Sequence, residues 1–367
     1  MNENEMGYRG SKSKLISNVN FVKEQRADGN LYSSIKYIRC ALMGFERNYQ
    51  IKIPSKQLNK FSTFSIVNDN YKLNPYFVTG FCDGESSFNV TVNNNNKLKT
   101  NWEVRAQFTI GLHSRDLALL LQLQEFFGCG FIFKNKTQSK ISYQVQSIKY
   151  LTNKIIPHFD KYPLLTQKAA DFLLFKNVIK LMNNQAHLTA EGLQQIINLR
   201  ASMNLGLSDL QKSEFPNFHL AVRPVINTTN IKDANWIAGF TSGEGCFFVD
   251  IYNSKTSKIG FKVKLTFSVT QHSRDKNLLE LIAKYFNCGV VYTKSENAFV
   301  LKIQKFEDLT KNLIPLFAIN KIQGIKQLDY LDFCQVAKLM NAKNHLTIEG
   351  LDKIRKIKSG MNRGREN

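Results

Sequence analysis

The sequence predicts an α+β fold made of two tandem copies of one unit, each with the element order αββαββα and one antiparallel sheet. A short stretch of the form Gly-x-x-x-Gly-Glu occurs twice, ending at Glu85 and at Glu244. Strand-like alternation of apolar and polar residues follows both copies. The motifs downstream then recur at nearly the same spacing as the two acids, 244 − 85 = 159 residues. A duplicated supersecondary unit explains all three observations.

The repeat also sets the expected domain boundaries. A shift of 159 residues places the His-Ser-Arg-Asp run at 113–116 on the identical run at 272–275. Later the shift falls by one, so Lys168 corresponds to Lys326. We therefore predict repeat 1 over residues 71–207, a polar linker over 208–232 and repeat 2 over 233–367. Residues 1–70 have no counterpart and form an N-terminal extension of unassigned role.

Each unit is expected to begin with the helix that carries the glycines and the acid, over residues 73–85 in repeat 1. Two strands follow, over 88–93 and 102–112. The sequence between them is rich in asparagine, which suits turn positions with positive φ. This order predicts a first β-hairpin directly after the acidic residue.

The rest of the unit begins with a helix over 114–127, where Ser-Arg-Asp is interpreted as the N-cap and leucines at helical spacing form the apolar side. A second hairpin is expected over 130–148. One or two helices over 167–203 complete the unit. Repeat 2 is predicted to have the same elements.

Composition limits the class of partner. The chain has 50 basic and 29 acidic residues, a net charge of +21, which favours a polyanion such as nucleic acid. No apolar run reaches the roughly 20 residues of a membrane-spanning helix, so no membrane partner is expected. The six cysteines show no Cys-x-x-Cys spacing, which argues against zinc and against a disulfide framework. The first residues include two acids and no apolar segment, so neither a signal peptide nor a transit peptide is expected.

The two Gly-x-x-x-Gly-Glu stretches are predicted to end a pair of packed helices. Each copy has two glycines four residues apart, which form a smooth stripe on a helix: Gly80 and Gly84, and Gly239 and Gly243. Two such stripes let helix backbones approach closely. The packing would carry Glu85 and Glu244 to the same end of the helix pair.

These stretches and their flanks closely resemble the LAGLIDADG motif of homing endonucleases. Gly243, Glu244 and Gly245 fit the motif, whereas Ser86 stands in the first copy where a glycine is usual. Two related copies make the resemblance specific, and it extends over residues 73–367. It implies a monomeric, site-specific endonuclease whose two sheets form a saddle over double-stranded DNA.

The resemblance further implies metal-dependent hydrolysis of phosphodiester bonds, with one cut per strand and staggered ends. Glu85 and Glu244 fall on the catalytic acidic positions and would ligate the metal ions, helped by the backbone carbonyls of Gly84 and Gly243. Two carboxylates forced together repel each other, and Mg²⁺, which prefers oxygen ligands, removes that cost. Mg²⁺ is therefore the expected cofactor, and Mn²⁺ or Ca²⁺ is compatible with the same sites.

Three further residues are catalytic candidates. Gln271 ends a predicted strand of repeat 2, where the family often has a polar residue near the scissile phosphates. Its counterpart Leu112 is apolar, so the two active sites are expected to differ. Lys168 and Lys326 precede the last helices of their repeats and are candidates to approach a phosphate. The alternative for each is a solvated lysine at a helix start.

DNA-binding residues are expected on the outward sides of the strands, because side chains alternate between the two faces of a sheet. Polar side chains there suit readout of base edges in the major groove, although a solvated sheet face looks similar. In repeat 1 the outward set is Asn89, Thr91, Asn93, Glu103, Arg105, Gln107, Thr109, Gln144 and Gln146. In repeat 2 it is Asp250, Tyr252, Lys262, Lys264, Thr266, Ser268, Tyr292, Lys294, Lys302 and Gln304. Because the two sets differ, the target is expected to be asymmetric and about 20 bp long.

Two other functions use the same fold and basic surface without hydrolysis. One is an RNA-binding maturase that assists group I intron splicing, which makes the protein's own intron RNA a second candidate partner. The other is a non-catalytic DNA-binding regulator. Retention of both motif acids favours the nuclease. The resemblance to fungal mitochondrial intron-encoded proteins places the chain in mitochondria, where it would also be translated.

Overall fold

The computed structural model of the protein describes residues 72–134 and 139–365. The extension predicted over residues 1–70 lies outside these ranges. Within the described part, no helix is both long enough and apolar enough to cross a bilayer.

Repeat 1 begins with helix α1, Pro75–Glu85, which Asn74 caps by accepting a hydrogen bond from the Tyr76 amide at 2.8 Å. The chain passes from Glu85 directly into strand β1. The elements that follow α1 are β1 (Ser86–Asn94), β2 (Trp102–His113), α2 (Leu117–Phe127), β3 (Phe131–Lys134), β4 (Lys140–Val145), α3 (Ile156–Lys161), α4 (Lys168–Asn183) and α5 (Ala190–Ala201). The Thr189 hydroxyl caps α5 by accepting from the Gly192 amide.

Repeat 2 has the same elements in the same order. Helix α6 (Asp209–Glu214) lies between the repeats. The elements of repeat 2 are α7 (Ala234–Glu244), β5 (Gly245–Asn253), β6 (Phe261–His272), α8 (Lys276–Phe286), β7 (Val290–Ser295), β8 (Ala298–Ile303), α9 (Ile314–Ile319), α10 (Lys326–Asn341) and α11 (Ile348–Ser359). The predicted α+β fold of two tandem repeats is therefore confirmed.

Each repeat forms one four-stranded antiparallel sheet, in the order β1-β2-β4-β3 and β5-β6-β8-β7. The registers are equivalent, because Phe88 lies opposite Phe108 in one sheet and Phe247 lies opposite Phe267 in the other. All four of these rings are fully buried. The strand alternation predicted from the sequence is thus confirmed in both sheets.

Helices cover the apolar face of each sheet. The Phe88 ring lies 5.5 Å from that of Phe159 on α3, and 5.2 and 5.4 Å from those of Phe172 and Phe175 on α4. These rings are buried, so the opposite face of the sheet is the one left to solvent. The hydrophobic effect therefore fixes which face of each sheet is available for a ligand.

Helices α1 and α7 pack against each other through their glycines. A Cβ atom added to Gly80 would overlap the carbonyl oxygen of Trp236, and one added to Gly239 would overlap that of Phe77. The backbones are therefore in direct contact, which only glycine permits at these two positions. The smooth stripe predicted from the four-residue spacing is confirmed.

The linker is anchored to repeat 1. Residues 215–233, all of them described, contain neither helix nor strand. Arg223 donates to both carboxylate oxygens of Asp171, at 2.7 and 2.9 Å, and the Phe215 ring lies 5.0 Å from that of Trp102. A partly buried ion pair and an aromatic contact thus hold a segment that the sequence identifies only as polar.

Two local predictions are wrong. Ser114 does not cap α2: residues Ser114–Asp116 form a 3₁₀ turn, and the His113 ring caps it by accepting from the Arg115 amide. The sequence also misses a helical segment before α4, which consists of Ile148–Tyr150, a π-helical turn at Leu151–Ile155, and α3. Pro157 removes an amide donor there, and the π-helical turn disturbs the regular apolar spacing that predicts a helix.

Candidate active site and nucleic-acid interface

The two motif acids meet at the shared end of α1 and α7. A Cβ atom added to Gly243 would lie 3.0 Å from Cγ of Glu85, and one added to Gly84 would lie 3.1 Å from Cγ of Glu244. Each acid therefore packs across the helix pair against the glycine that precedes the other acid. Both side chains are half-buried. The sequence prediction that these acids share one helix end is confirmed.

Burial raises the pKa of both carboxylates and so makes both easier to protonate. Burial raises the pKa of Glu85, while the ammonium groups of Lys326 and Lys168 oppose that rise. Burial also raises the pKa of Glu244, and the nearby Glu85 carboxylate raises it further. The pair therefore carries an electrostatic cost that a cation between the two acids would relieve.

Two lysines lie beside the acids. The Lys168 ammonium donates to the carbonyl oxygens of Cys82 and Gly84, at 2.9 and 3.0 Å, and the Lys326 ammonium donates to that of Gly243. Burial lowers the pKa of both lysines, and the neighbouring acids counter that effect. These lysines are therefore not the solvated alternatives considered above, although their catalytic role stays a prediction.

Gln271 makes the two halves of the site unequal. A hydrogen bond from Gln271 lowers the pKa of Glu244, against the larger effect of burial. Strand β6 continues past this position to His272, so Gln271 lies within the strand and not at its end. The equivalent residue, Leu112, lines a cavity beside Glu85 and offers no hydrogen bond. The chemical difference expected between the two sites is thus present, while the role of Gln271 stays a prediction.

The two repeats also differ at the residue two positions before each motif acid. Asp83 is buried and accepts from the Leu165 amide, the Thr166 amide and the Thr166 hydroxyl. Its counterpart is Ser242, whose hydroxyl accepts from the Gln323 amide at 3.0 Å. Both residues hold the segment that leads into the lysine of the same repeat, Lys168 or Lys326, and neither is among the site residues predicted from the sequence.

The donor set at the helix ends fits a divalent cation. Within the described ranges, no group of three or more His, Cys, Asp or Glu side chains is placed to hold a metal ion. The available donors are the carboxylates of Glu85 and Glu244 and the carbonyls of Gly84 and Gly243. Each of these carbonyls already accepts from a lysine, but a carbonyl oxygen has a second lone pair. The metal-ligand role of these four residues stays a prediction.

The outward face of each sheet carries the residues predicted to bind DNA. In repeat 1 the nine predicted side chains from Asn89 to Gln146 are all exposed or half-buried, whereas the intervening Val104, Ala106, Phe108 and Ile110 are buried. In repeat 2 the ten predicted positions from Asp250 to Gln304 are also exposed or half-buried. Their outward orientation is confirmed, and their contact with DNA stays a prediction.

Some of these side chains already bond to each other, which leaves them fewer charges and hydrogen-bonding groups for DNA. Arg105 and Glu103 form an ion pair with two hydrogen bonds of 2.9 Å, so each charge is partly neutralised by the other. Gln304 donates to Thr266 at 3.2 Å. The face of repeat 2 has four lysines among the predicted positions and repeat 1 has none, so the two faces differ in charge as well as in sequence.

A cavity of about 750 Å³ extends from the sheet of repeat 1 to Glu85. Its lining includes Glu85, Lys326, His113, Arg115 and Asp116. The last three belong to the duplicated His-Ser-Arg-Asp run, which the sequence predicts only as the start of a helix. The identical run in the second half, at residues 272–275, is the sequence signal that could have indicated a further role.

Comparison with known proteins identifies the family. The model of the LAGLIDADG endonuclease family matches residues 78–179 and 237–337, one match in each repeat. The chain belongs to the LAGLIDADG endonuclease family. Each match begins within the motif helix, α1 or α7, and ends within α4 or α10. The family match therefore includes both glutamates, both lysines and both sheets.

Two curated relatives of this LAGLIDADG protein are from Neurospora crassa. Probable intron-encoded endonuclease 3 is 45% identical over 372 residues, and the match covers 96% of this chain and 69% of the relative. Probable intron-encoded endonuclease 2 is 40% identical over 301 residues, with 79% of this chain and 65% of the relative covered. The chain thus spans about two thirds of the length of both relatives.

Solved LAGLIDADG structures show the same fold. The I-SmaMI homing endonuclease bound to cleaved DNA is 44% identical with a TM-score of 0.79, covering 82% of this chain and all of that one. I-CpaMI bound to uncleaved DNA is 39% identical with a TM-score of 0.76, covering 79% of this chain and 99% of that one. I-SmaMI was also solved on an uncleaved target in the presence of calcium ions.

Proposed function

We propose that this protein is a homing endonuclease that cuts both strands of a long, asymmetric double-stranded DNA target. The observation that carries the proposal is the meeting of Glu85 and Glu244 at the joint between two sheets. Each acid leads directly into the edge strand of its own sheet, β1 or β5. A duplex lying across both polar faces would therefore pass over the acids.

Binding would come from the outward faces of the sheets. Their amide, hydroxyl and ammonium groups suit base edges in the major groove and phosphate oxygens. The net charge of +21 supplies attraction that does not depend on sequence, so affinity should fall as salt rises. The difference in charge between the two faces supports an asymmetric target.

Glu85 and Glu244 would hold the divalent cations, with Mg²⁺ as the cofactor in use. When bound, such cations activate water and stabilise the leaving oxygen of a phosphodiester. The acids must be ionised for this role, and Lys168 and Lys326 favour the ionised form of both. The presence of calcium ions in a relative's DNA complex supports a divalent cation at such a site, and the choice of Mg²⁺ rests on the oxygen donors.

The lysines would act on the phosphate itself. Their ammonium groups lie at the helix ends beside the acids, where negative charge develops as the phosphodiester is attacked. Gln271 would orient a water or a phosphate oxygen in one of the two sites, where Leu112 offers no such contact in the other. The two strands are therefore expected to be cut at different rates.

The alternative functions are less well supported. A maturase or a DNA-binding regulator needs the basic sheets but not two paired, half-buried acids with lysines beside them. The curated relatives above carry names of intron-encoded endonucleases, which agrees with the nuclease. Action as a monomer is supported by the presence of both acids in one chain. A mitochondrial location is supported by relatives named for ND4 and cox1 introns.

Selection from a randomised duplex library, with and without Mg²⁺, tests the proposal. We expect enrichment of one asymmetric site that is cut on both strands only when the metal is added. Binding of a duplex without cleavage under any divalent metal would support the regulator instead. Preferential binding of structured intron RNA over every duplex would support the maturase.

A further inference from the structure

We infer that the duplicated His-Ser-Arg-Asp turn is a cross-repeat positioning device, in which Asp116 positions Lys326 and Asp275 positions Lys168. Each aspartate thus acts on the lysine of the opposite repeat. The inference rests on the proposed nuclease function, because it assigns positioning residues to the same site. It gives a role to a motif that neither the acids nor the sheet faces explain.

Each aspartate holds the backbone immediately before a lysine. Oδ1 of Asp275 accepts from the Gln167 amide at 2.7 Å, and Lys168 is the next residue. Oδ1 of Asp116 accepts from the Ile325 amide at 2.7 Å, and Lys326 is the next residue. The partners are 108 and 209 residues apart, so both bonds join one repeat to the other.

Both hydrogen bonds are made at the N-terminus of the helix that begins with the lysine. Helices α4 and α10 start at Lys168 and Lys326, and the first amides of a helix have no partner within it. A carboxylate at this end also interacts favourably with the helix dipole. The aspartates therefore fix where each helix starts, and so fix the backbone position from which the lysine side chain extends.

In repeat 2, the absence of a side chain at Gly324 lets Asp116 reach the Ile325 amide. A Cβ atom added to Gly324 would lie 2.7 Å from Oδ1 of Asp116, so a larger residue there would displace the carboxylate. Gly324 also has φ +69°, which favours glycine. In repeat 1 the equivalent residue is Thr166, whose hydroxyl donates to Asp83 instead. Asp275 is buried, with its second oxygen 3.7 Å from Nε of Arg274.

The other residues of the run shape the turn. Nδ1 of His113 accepts from the Arg115 amide at 3.3 Å, and Nδ1 of His272 accepts from the Arg274 amide at 3.2 Å. Both histidines end a central strand of their sheet, so the turn links the outward face to the lysine of the other repeat. The site is consequently complete only when the two repeats are docked.

Strand-resolved kinetics test the inference. Asp275→Ala and Asp116→Ala would each be measured under single-turnover conditions on a duplex with a different label on each strand. We expect Asp275→Ala to slow, by about 10-fold or more, the same strand that Lys168→Ala slows, because small misplacements of a reacting group cost large factors in rate. Asp116→Ala should match Lys326→Ala. DNA affinity, measured with Ca²⁺, should change by less than about 2-fold.

Double variants separate positioning from general damage. The double variant Asp275→Ala with Lys168→Ala should cut DNA no more slowly than Lys168→Ala alone. In the double variant with Lys326→Ala, the fold-losses in rate caused by Asp275→Ala and by Lys326→Ala should multiply. Asp275→Asn, which keeps an acceptor oxygen, should recover part of the rate. Equal slowing of both strands, or equal coupling of Asp275 to both lysines, would overturn the inference. Asp209→Ala, an exposed acid on α6, is the matched control.

Hydrogen exchange gives a readout that needs no cleavage. Asp275→Ala should speed exchange over residues 165–168 and leave 323–326 unchanged, and Asp116→Ala should do the reverse. Unchanged exchange at both segments would overturn the inference whether or not the protein cuts DNA. A wild-type protein that shows these exchange responses but cuts no duplex would refute the nuclease function and leave the cross-repeat contacts in place.

Discussion

The indole N–H of Trp236 donates to the carboxylate of Asp83 at 2.8 Å, so a residue of repeat 2 completes the hydrogen bonding of a buried acid in repeat 1. The same carboxylate accepts from Leu165 and Thr166. Burial raises the pKa of Asp83, and these donors oppose that rise. One carboxylate therefore ties together α1, α7 and the segment that leads to Lys168.

Trp236→Phe should lower the free energy of unfolding by about 1–3 kcal/mol, because Asp83 loses a donor that water cannot replace. Urea denaturation followed by circular dichroism would measure the change. A double-mutant cycle with Asp83→Asn should show that the two effects are not additive. Strict additivity would mean that the loss comes from ring packing alone.

Glu85→Gln and Glu244→Gln should each abolish double-strand cleavage, with a loss of about 10²-fold or more, while DNA binding stays nearly intact. The amide keeps the shape of the side chain but removes the charge that would hold a cation. Cleavage assays and binding isotherms on the selected duplex would measure both quantities. Glu125→Gln, an exposed acid near the end of α2, is the control. Cutting by both single variants would remove these acids from the proposed mechanism.

Gly80→Ala and Gly239→Ala should each destabilise the protein by about 1–3 kcal/mol or more, because the new methyl group would overlap the backbone of the facing helix. Thermal and chemical denaturation would measure the loss. Gly111→Ala is the matched control, since an added Cβ there meets nothing within 4 Å. Wild-type stability in Gly80→Ala would show that the helices can separate without cost.

His158 should make stability depend on pH. Burial lowers its pKa to about 4, and its ring lies 3.0 Å from the Thr79 hydroxyl. Its unfolded pKa is about 6.5, so the unfolded chain binds more protons between these values and stability is lost as the pH falls through that window. From pH 7 to pH 5 the wild type should lose about 2 kcal/mol more than His158→Gln. Parallel curves for the two proteins would contradict this assignment.

The sequence predicted most of the architecture because the two repeats within the chain can be compared with each other. The two Gly-x-x-x-Gly-Glu stretches and the strand alternation around Phe108 and Phe267 are local patterns whose physical causes act within a few residues. The helical segment around Pro157 could not be predicted in this way. Its π-helical turn is stabilised by packing of Leu151 and Ile155 into the core, which no local spacing encodes.

The sequence by itself determined that the protein has two equivalent units, that each ends a helix in a glutamate, and which strand residues face outward. These properties follow from periodicity and from the absence of side chains on glycine. Only the tertiary structure decided that Asp116 and Asp275 each accept a hydrogen bond from the opposite repeat and that Trp236 donates to Asp83. Hydrogen bonds between groups more than a hundred residues apart depend on how the two repeats dock, and docking leaves no periodic pattern along the chain.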